Sequence, residues 1–178
     1  MANLNTPYAT LSFANIFTPR PRSEGGEPVY SCSLIFDPAQ QKSPKFKALK
    51  DACDAAARAE WGDKIDLKTI KMPFRDAAEK SYDGYHPGHT YISPWSKNKP
   101  GVVDASGEPV LLPDEVWSGQ LVRANVSPFA WTHSGKKGVS IGLNHLQIVK
   151  SEGQQRLDGR PSISVFDDGE VQPEAAPF

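Results

Sequence analysis

Cysteine is nearly absent from this chain: Cys32 and Cys53 are the only two in 178 residues. Two thiols cannot build a disulfide framework or a cysteine-based metal cluster. Cys32 falls in an apolar strand-like run and Cys53 in a helix-like one, so both read as small buried hydrophobes of a reducing cytoplasm. Long apolar runs are missing too. No stretch approaches the roughly 18 residues that span a bilayer, and no charged segment followed by an apolar one opens the chain. We therefore expect a cytoplasmic protein with no membrane partner and no secretory leader. Catalytic signatures are also lacking: there is no Walker A loop, no G-x-S-x-G, no H-E-x-x-H and no G-x-G-x-x-G. Asp83, His86 and His89 give D-x-x-H-x-x-H, but that spacing matches no standard zinc motif and no Cys completes it. Hydrogen-bonding or surface histidines are expected there, and no metal. The paired carboxylates Asp114 and Glu115 face no recognisable electrophile. The expectation is a protein that is not an enzyme and carries no cofactor.

A net excess of charge is missing as well, since 20 Lys and Arg against 21 Asp and Glu leave a formal charge of −1. The distribution is uneven, however. Residues 167–178 carry four carboxylate side chains and no Lys or Arg, so residues 1–166 hold a charge of +3 and the tail one of −4. A body at +3 is only mildly basic, so any polyanion site must be a local groove. The tail, DDGEVQPEAAPF, has too little apolar surface to offset the entropy of ordering and is expected to be disordered. An acidic segment ending in Pro-Phe can dock its ring and carboxylate into a basic pocket on a partner. It can also compete with a polyanion for the protein's own groove. Asp167, Asp168, Glu170, Glu174, Pro177 and Phe178 are the candidate residues for these roles.

What is present is mostly strand signal. Ala9 to Phe17 alternates, with Leu11 and Phe13 assigned to one face, and Val29 to Phe36 alternates with Tyr30, Cys32, Leu34 and Phe36 together. The polar segment from Pro19 to Glu27 connects the two as a long hairpin. The helix expected over Pro44 to Trp61 has Ser43 as N-cap, Pro44 at its first position, a stripe of Phe46, Leu49, Cys53 and Ala56 or Ala57, and Gly62 as its stop. Residues 63–113 lose regularity and read as an insertion with short strands, and long loops of this kind usually serve a function. Gln120 to Trp131 is a strand with Val122, Ala124 and Val126 on one face, and Arg123, Asn125, Ser127, Phe129 and Trp131 on the other. Pro128 argues for an edge or a bulge there. Residues 132–138 read as a hairpin loop and Val139 to Lys150 as the returning strand. Its apolar parity switches near Asn144, which predicts a bulge. The fold class expected is mainly β with one or two helices: an OB-fold-like antiparallel β-barrel with an elaborated insertion. A β-sandwich is the competing architecture.

The binding signals are interleaved cations and rings. A protein that holds a single strand without reading its sequence needs basic side chains along a groove and aromatics on which bases stack. Trp95 stands beside Lys97 and Lys99, Lys71 and Arg75 flank Phe74, and Arg123 shares a strand face with Phe129 and Trp131. Lys136 and Lys137 belong to the next hairpin, and Trp117 precedes the strand. Phe74 and Trp117 are also good core candidates, and the lysine pair could be a solvated turn.

The run from Trp117 to Val126, the Gly135-Lys136-Lys137-Gly138 hairpin and the run from Gly138 to Gln147 together resemble a family of phage-encoded single-stranded DNA-binding proteins. Leu11-Ser12-Phe13, the Tyr30-to-Phe36 strand with its following helix, and Gly159-Arg160-Pro161 leading to Phe166-Asp167-Asp168 resemble it too. The resemblance implies an oligonucleotide-binding fold and single-stranded DNA binding with little sequence preference. It implies a place in phage replication, recombination or repair inside a bacterial cell, with replication or recombination proteins met through the tail. The Pro177-Phe178 ending is similar to the tails of bacterial single-strand binders, although Ala175-Ala176 replace the usual aspartates. An OB-type protein–protein adaptor and an RNA-binding module are the alternatives, and a homodimer is left open.

Overall fold

The computed structural model describes residues 3–159, 166, 168–170 and 173. Its strands are β1 (Leu4–Asn5), β2 (Ala9–Pro21), β3 (Pro28–Phe36), β4 (Arg75–Asp76), β5 (Thr90–Ile92), β6 (Trp95–Ser96), β7 (Gly101–Val103), β8 (Leu121–His133) and β9 (Lys136–Lys150). The helices are α1 (Pro38–Gln41) and α2 (Pro44–Trp61). β8, β2, β3, β6 and β9 follow one another as hydrogen-bonded neighbours, and β9 pairs back onto β8, so the strands close into a ring. The closure joining β6 to β9 is parallel, at Trp95 and Gly142, and β7 also runs parallel to β9. The ring is therefore not purely antiparallel, as the sequence had suggested.

The core fills the ring's interior. β2 and β3 supply Leu11, Ile16, Cys32, Leu34 and Phe36; β8 supplies Val122, Ala124 and Val126; β9 supplies Val139, Ile141, Leu143, Leu146 and Ile148. α2 adds Phe46, Leu49, Cys53 and Ala57, the stripe that its helical period predicts. Its ends are set locally: the Ser43 hydroxyl accepts from the Phe46 amide at 3.3 Å, and Gly62 closes the helix at φ +92°. The parity switch on β9 is a bulge at Asn144. Asn125 faces His145 while the next residue, Val126, faces Leu143. Pro128 sits where β8 has β9 as its sole strand partner among the described residues, so its missing N–H costs no ladder bond.

Two local expectations are corrected. Phe13 does not share the inward face of Leu11. A bulge between Ser12 and Asn15 places Phe13 at φ +46° and turns its ring outward, while Leu11 and Ile16 are fully buried. The loop at 132–138 shrinks to Ser134-Gly135, both at positive φ as a two-residue hairpin turn requires, and His133–Lys136 and Thr132–Lys137 are strand pairs. The segment expected as an insertion with short strands contributes to the sheet. β5 and β6 pair with β3, and the segment builds a second small core of Ile35, Ala77, Tyr85 and Tyr91 on the outer face of the sheet, with Leu157 packed against it. No described helix is long and apolar enough to cross a membrane.

Candidate nucleic-acid interface

The outward positions of β9 opposite the core are Gly138, Ser140 and Gly142, and their small size shapes the surface above them. Trp131 pairs with Gly138, and its indole lies against that glycine so closely that a β-carbon there would come 2.2 Å from Cζ2. Trp95 pairs with Gly142 and packs edge-on against Phe129 with centroids 5.7 Å apart. The floor is thus glycine and serine, and large rings lie over it.

Cations gather over this floor. A cleft of about 220 Å³ is lined by Arg22, Lys71, Arg75, Ser93, Trp131 and Ser140, among others. Lys71 is held there by backbone: its amide donates to the Lys137 carbonyl, and its carbonyl accepts from the Val139 amide, both at 3.0 Å. Arg75 stands opposite Tyr91 in the β4–β5 pair. Arg22, at the end of β2, lays its guanidinium 5.4 Å from the Trp95 ring centroid. Desolvation, and then repulsion from Arg75, lower the Arg22 pKa, yet a guanidinium remains charged at any physiological pH. None of these three cations forms a salt bridge among the described residues, where the ion pairs are Lys47–Asp51 and Arg156–Asp158. The Trp95 Nε1 hydrogen is buried without an acceptor among the described residues.

The structure thus brings Lys71, Arg75 and Trp131 into one cleft, with Trp95 and Phe129 beside it. It adds Arg22, which the sequence reading did not single out because its contacts are all long-range. Other candidates lie elsewhere. Phe74 packs against the main core, 5.5 Å from the Phe46 ring, because α2 covers it. Lys137 is exposed but directed to the opposite face, its Nζ 5.6 Å from the Trp61 ring, because the short turn puts it in strand register. Lys136 is exposed on the face of Gly138. Lys97 and Lys99 are exposed after β6, with Lys99 Nζ 5.3 Å from the Phe17 ring. Arg123 is on the predicted face of β8, but eight residues from Trp131, roughly 26 Å along a strand. It donates to Gln147 Oε1 at 2.6 Å and lines a separate cleft with Tyr8, Ser43 and Lys45. Between the two lies a polar hollow with Asn125, Ser127, Asn144 and Lys99 in its walls, where the Asn144 amide donates to Asn125 Oδ1 and Ser127 Oγ. Trp117 is half-buried beneath Arg156, 4.7 Å from its ring. His86 and His89 pack ring to ring at 5.3 Å, and no group of three or more metal-ligating side chains occurs among the described residues.

In the tail, Asp168 and Glu170 are exposed, and Asp167, Glu174, Pro177 and Phe178 lie outside the described residues. The chain's exit from the body is nonetheless defined. Leu157 donates its amide to the Ser118 carbonyl and seats its side chain over Gly84, against the small core of Tyr85 and Tyr91.

A family model described as the Enterobacter phage Enc34 ssDNA-binding protein matches residues 3–176. A curated relative, "Putative protein p50" of Acyrthosiphon pisum secondary endosymbiont phage 1, is 27% identical over 168 residues, 89% of either chain. Among solved structures, the single-stranded DNA-binding protein of bacteriophage Enc34 in complex with ssDNA superposes with a TM-score of 0.71 at 17% identity, covering 85% of this chain and 88% of the other. The single-stranded DNA-binding protein gp2.5 of bacteriophage T7 superposes with a TM-score of 0.60 at 17% identity, covering 84% and 92%. These likenesses agree with the mainly β, OB-like fold expected from the sequence.

Proposed function

Because this chain belongs to the family of the Enterobacter phage Enc34 ssDNA-binding protein, we propose that it binds single-stranded DNA with little sequence preference, on the outer face of β8 and β9. The family is one of binders, not enzymes. One observation carries the reading: three cations that form no salt bridge among the described residues, Arg22, Lys71 and Arg75, converge on an indole that lies flat over a glycine. The cations take backbone phosphates, and Trp131 and Trp95 take base faces. Stacking accepts any base, and the charge contacts accept any sequence, so sequence preference stays low. Lys136, Lys97 and Lys99 extend the positive margin. Arg123 engages only a strand long enough to run the length of β8. Duplex is disfavoured because its bases already stack on one another.

The acidic tail competes with DNA for the same cleft. Leu157 leaves the body beside Tyr91, which faces Arg75, and Asp167 follows ten positions later. Covalent geometry lets such a segment span up to roughly 33 Å, so the carboxylates of residues 167–178 can reach the cleft. DNA displaces them, and the released tail with Pro177 and Phe178 is free to recruit replication or recombination proteins of the phage or its host.

Titration with fluorescent dT and rU oligomers at two salt concentrations tests this reading. Salt-sensitive binding to dT, weaker for duplex of the same length, is expected. No salt-sensitive binding to either oligomer would leave a protein–protein adaptor, and a marked preference for rU would make the module an RNA binder.

A further inference from the structure

One aromatic group on the outer face is not accounted for by the cleft. Phe13, Tyr82, Tyr85 and Tyr91 form an edge-to-face chain, with successive centroids 5.0, 5.7 and 5.3 Å apart. Its inner end is fixed, since Tyr85 and Tyr91 are buried with Ile35 and Ala77. Its outer end is open: Phe13 is 48% and Tyr82 53% exposed. Two exposed rings braced by two buried ones have little side-chain freedom left to lose when a flat partner docks.

The backbone singles out Phe13 further. At φ +46° it occupies the left-handed region, which bulky side chains seldom adopt and which Gly or Asn would fill at less cost. In an unbulged strand its ring would share the inward face of Leu11. The bulge carries it out to Tyr82 instead. A conformational outlier of this kind motivates a search for a use of the side chain it presents.

The neighbourhood indicates the occupant. Tyr91, the inner ring, stands opposite Arg75 in the β4–β5 pair, and Arg75 lines the Trp131 cleft. The aromatic chain is therefore continuous with the cationic surface. In sequence, Lys80 is outnumbered by Glu79 and Asp83, so the immediate surroundings offer rings without a net positive charge. Such a surface suits bases and not phosphates.

We infer that Phe13 and Tyr82 form a second stacking platform, which takes unpaired bases of the same DNA strand beyond the Trp131 cleft. This rests on the reading that the cleft holds single-stranded DNA. The test uses the full chain, a long fluorescent oligothymidylate and a salt series. Tyr82→Ala is expected to raise Kd by roughly 5-fold or more. The dependence of log Kd on log salt should keep its slope, because no cation is removed. Tyr82→Phe keeps the ring and should bind as the parent does. Phe13→Gly should weaken binding similarly while the melting temperature holds or rises, since glycine accepts positive φ. Irradiation with an iododeoxyuridine-substituted oligomer should crosslink Tyr82 or Phe13. If Tyr82→Ala and Phe13→Gly bind like the parent and no crosslink forms there, while Trp131→Ala loses affinity, the platform is refuted and the cleft stands. If the parent itself fails to bind oligothymidylate, both readings fall.

Discussion

Replacing Trp131 by Ala separates a stacking surface from a structural one. The indole rests on the outward face of β9 at Gly138 and is absent from the buried core, whose residues point into the ring. It is only partly exposed. A Trp can bury up to about 250 Å², so at about 25 cal/mol per Å² truncating this largely covered ring costs folding about 6 kcal/mol at most. A protein above the low end of ordinary stability, about 5–15 kcal/mol, survives such a loss. The effect on binding is larger relative to its scale. One lost base stack is worth roughly 1–3 kcal/mol, a 5- to 150-fold rise in Kd. Fluorescence anisotropy with oligothymidylate at matched salt reads it directly, and circular dichroism confirms the fold. A companion substitution, Gly138→Ala, keeps the indole but places a methyl 2.2 Å from its Cζ2, so the ring must leave its seat. Gly138→Ala should therefore lose affinity too, and the double variant should lose little beyond Trp131→Ala alone, because both act on one ring. A folded Trp131→Ala protein with parental affinity would refute the stacking argument.

Arg22→Gln and Arg75→Gln should each flatten the salt slope by about 0.7, the value for one phosphate contact on a single strand. Arg123→Gln should leave the slope unchanged for an oligomer short enough to fill only the Trp131 cleft, and an equal effect of all three would show that the clefts act as one. Deleting residues 167–178 should tighten oligonucleotide binding, most clearly below about 0.1 M salt, where screening acts over about 10 Å or more; unchanged affinity would remove the competition model and leave the cleft. The thiols of Cys32 and Cys53 are pushed up to about 12 by burial. Unfolding releases them to ionise near pH 8.5. Between those values the folded state holds more protons than the unfolded one, so stability is full below about pH 8.5 and falls as pH rises, by about 1.4 kcal/mol per pH unit for each thiol. Denaturant melts at successive alkaline pH values measure that slope, and Cys→Ala variants should reduce it.

Local chemistry carried much of the fold into the sequence. Ser43, Pro44 and Gly62 bound α2 at the residues their cap preferences name, and the Ile141–Leu143 to Leu146–Ile148 parity switch marks the Asn144 bulge. Two of the failures come from where a strand bulges or ends. The extra residues near Phe13 moved its ring from the core to the surface, and the Ser134-Gly135 turn, shorter than expected, set Lys136 and Lys137 on opposite faces. A strand's side chains alternate with period two, so such a shift preserves every strand and exchanges its faces. A core tolerates none of this, because an inward charge or an outward stripe of apolar side chains is costly. An outer face tolerates it freely. That asymmetry explains why the apolar set of β8 and β9 was legible, while the cleft was assembled from Arg22, Lys71 and Arg75, which lie far apart in sequence. Their convergence depends on β3 pairing with both β2 and the inserted strands β5 and β6, a pairing that no local pattern encodes. Beside Phe129 and Trp131 on β8, the glycines Gly138 and Gly142 on β9 are a further trace of the outer surface within a single strand. Two glycines four residues apart on one face of a regular strand weaken it without packing gain, and a close approach from above is the reason to keep them.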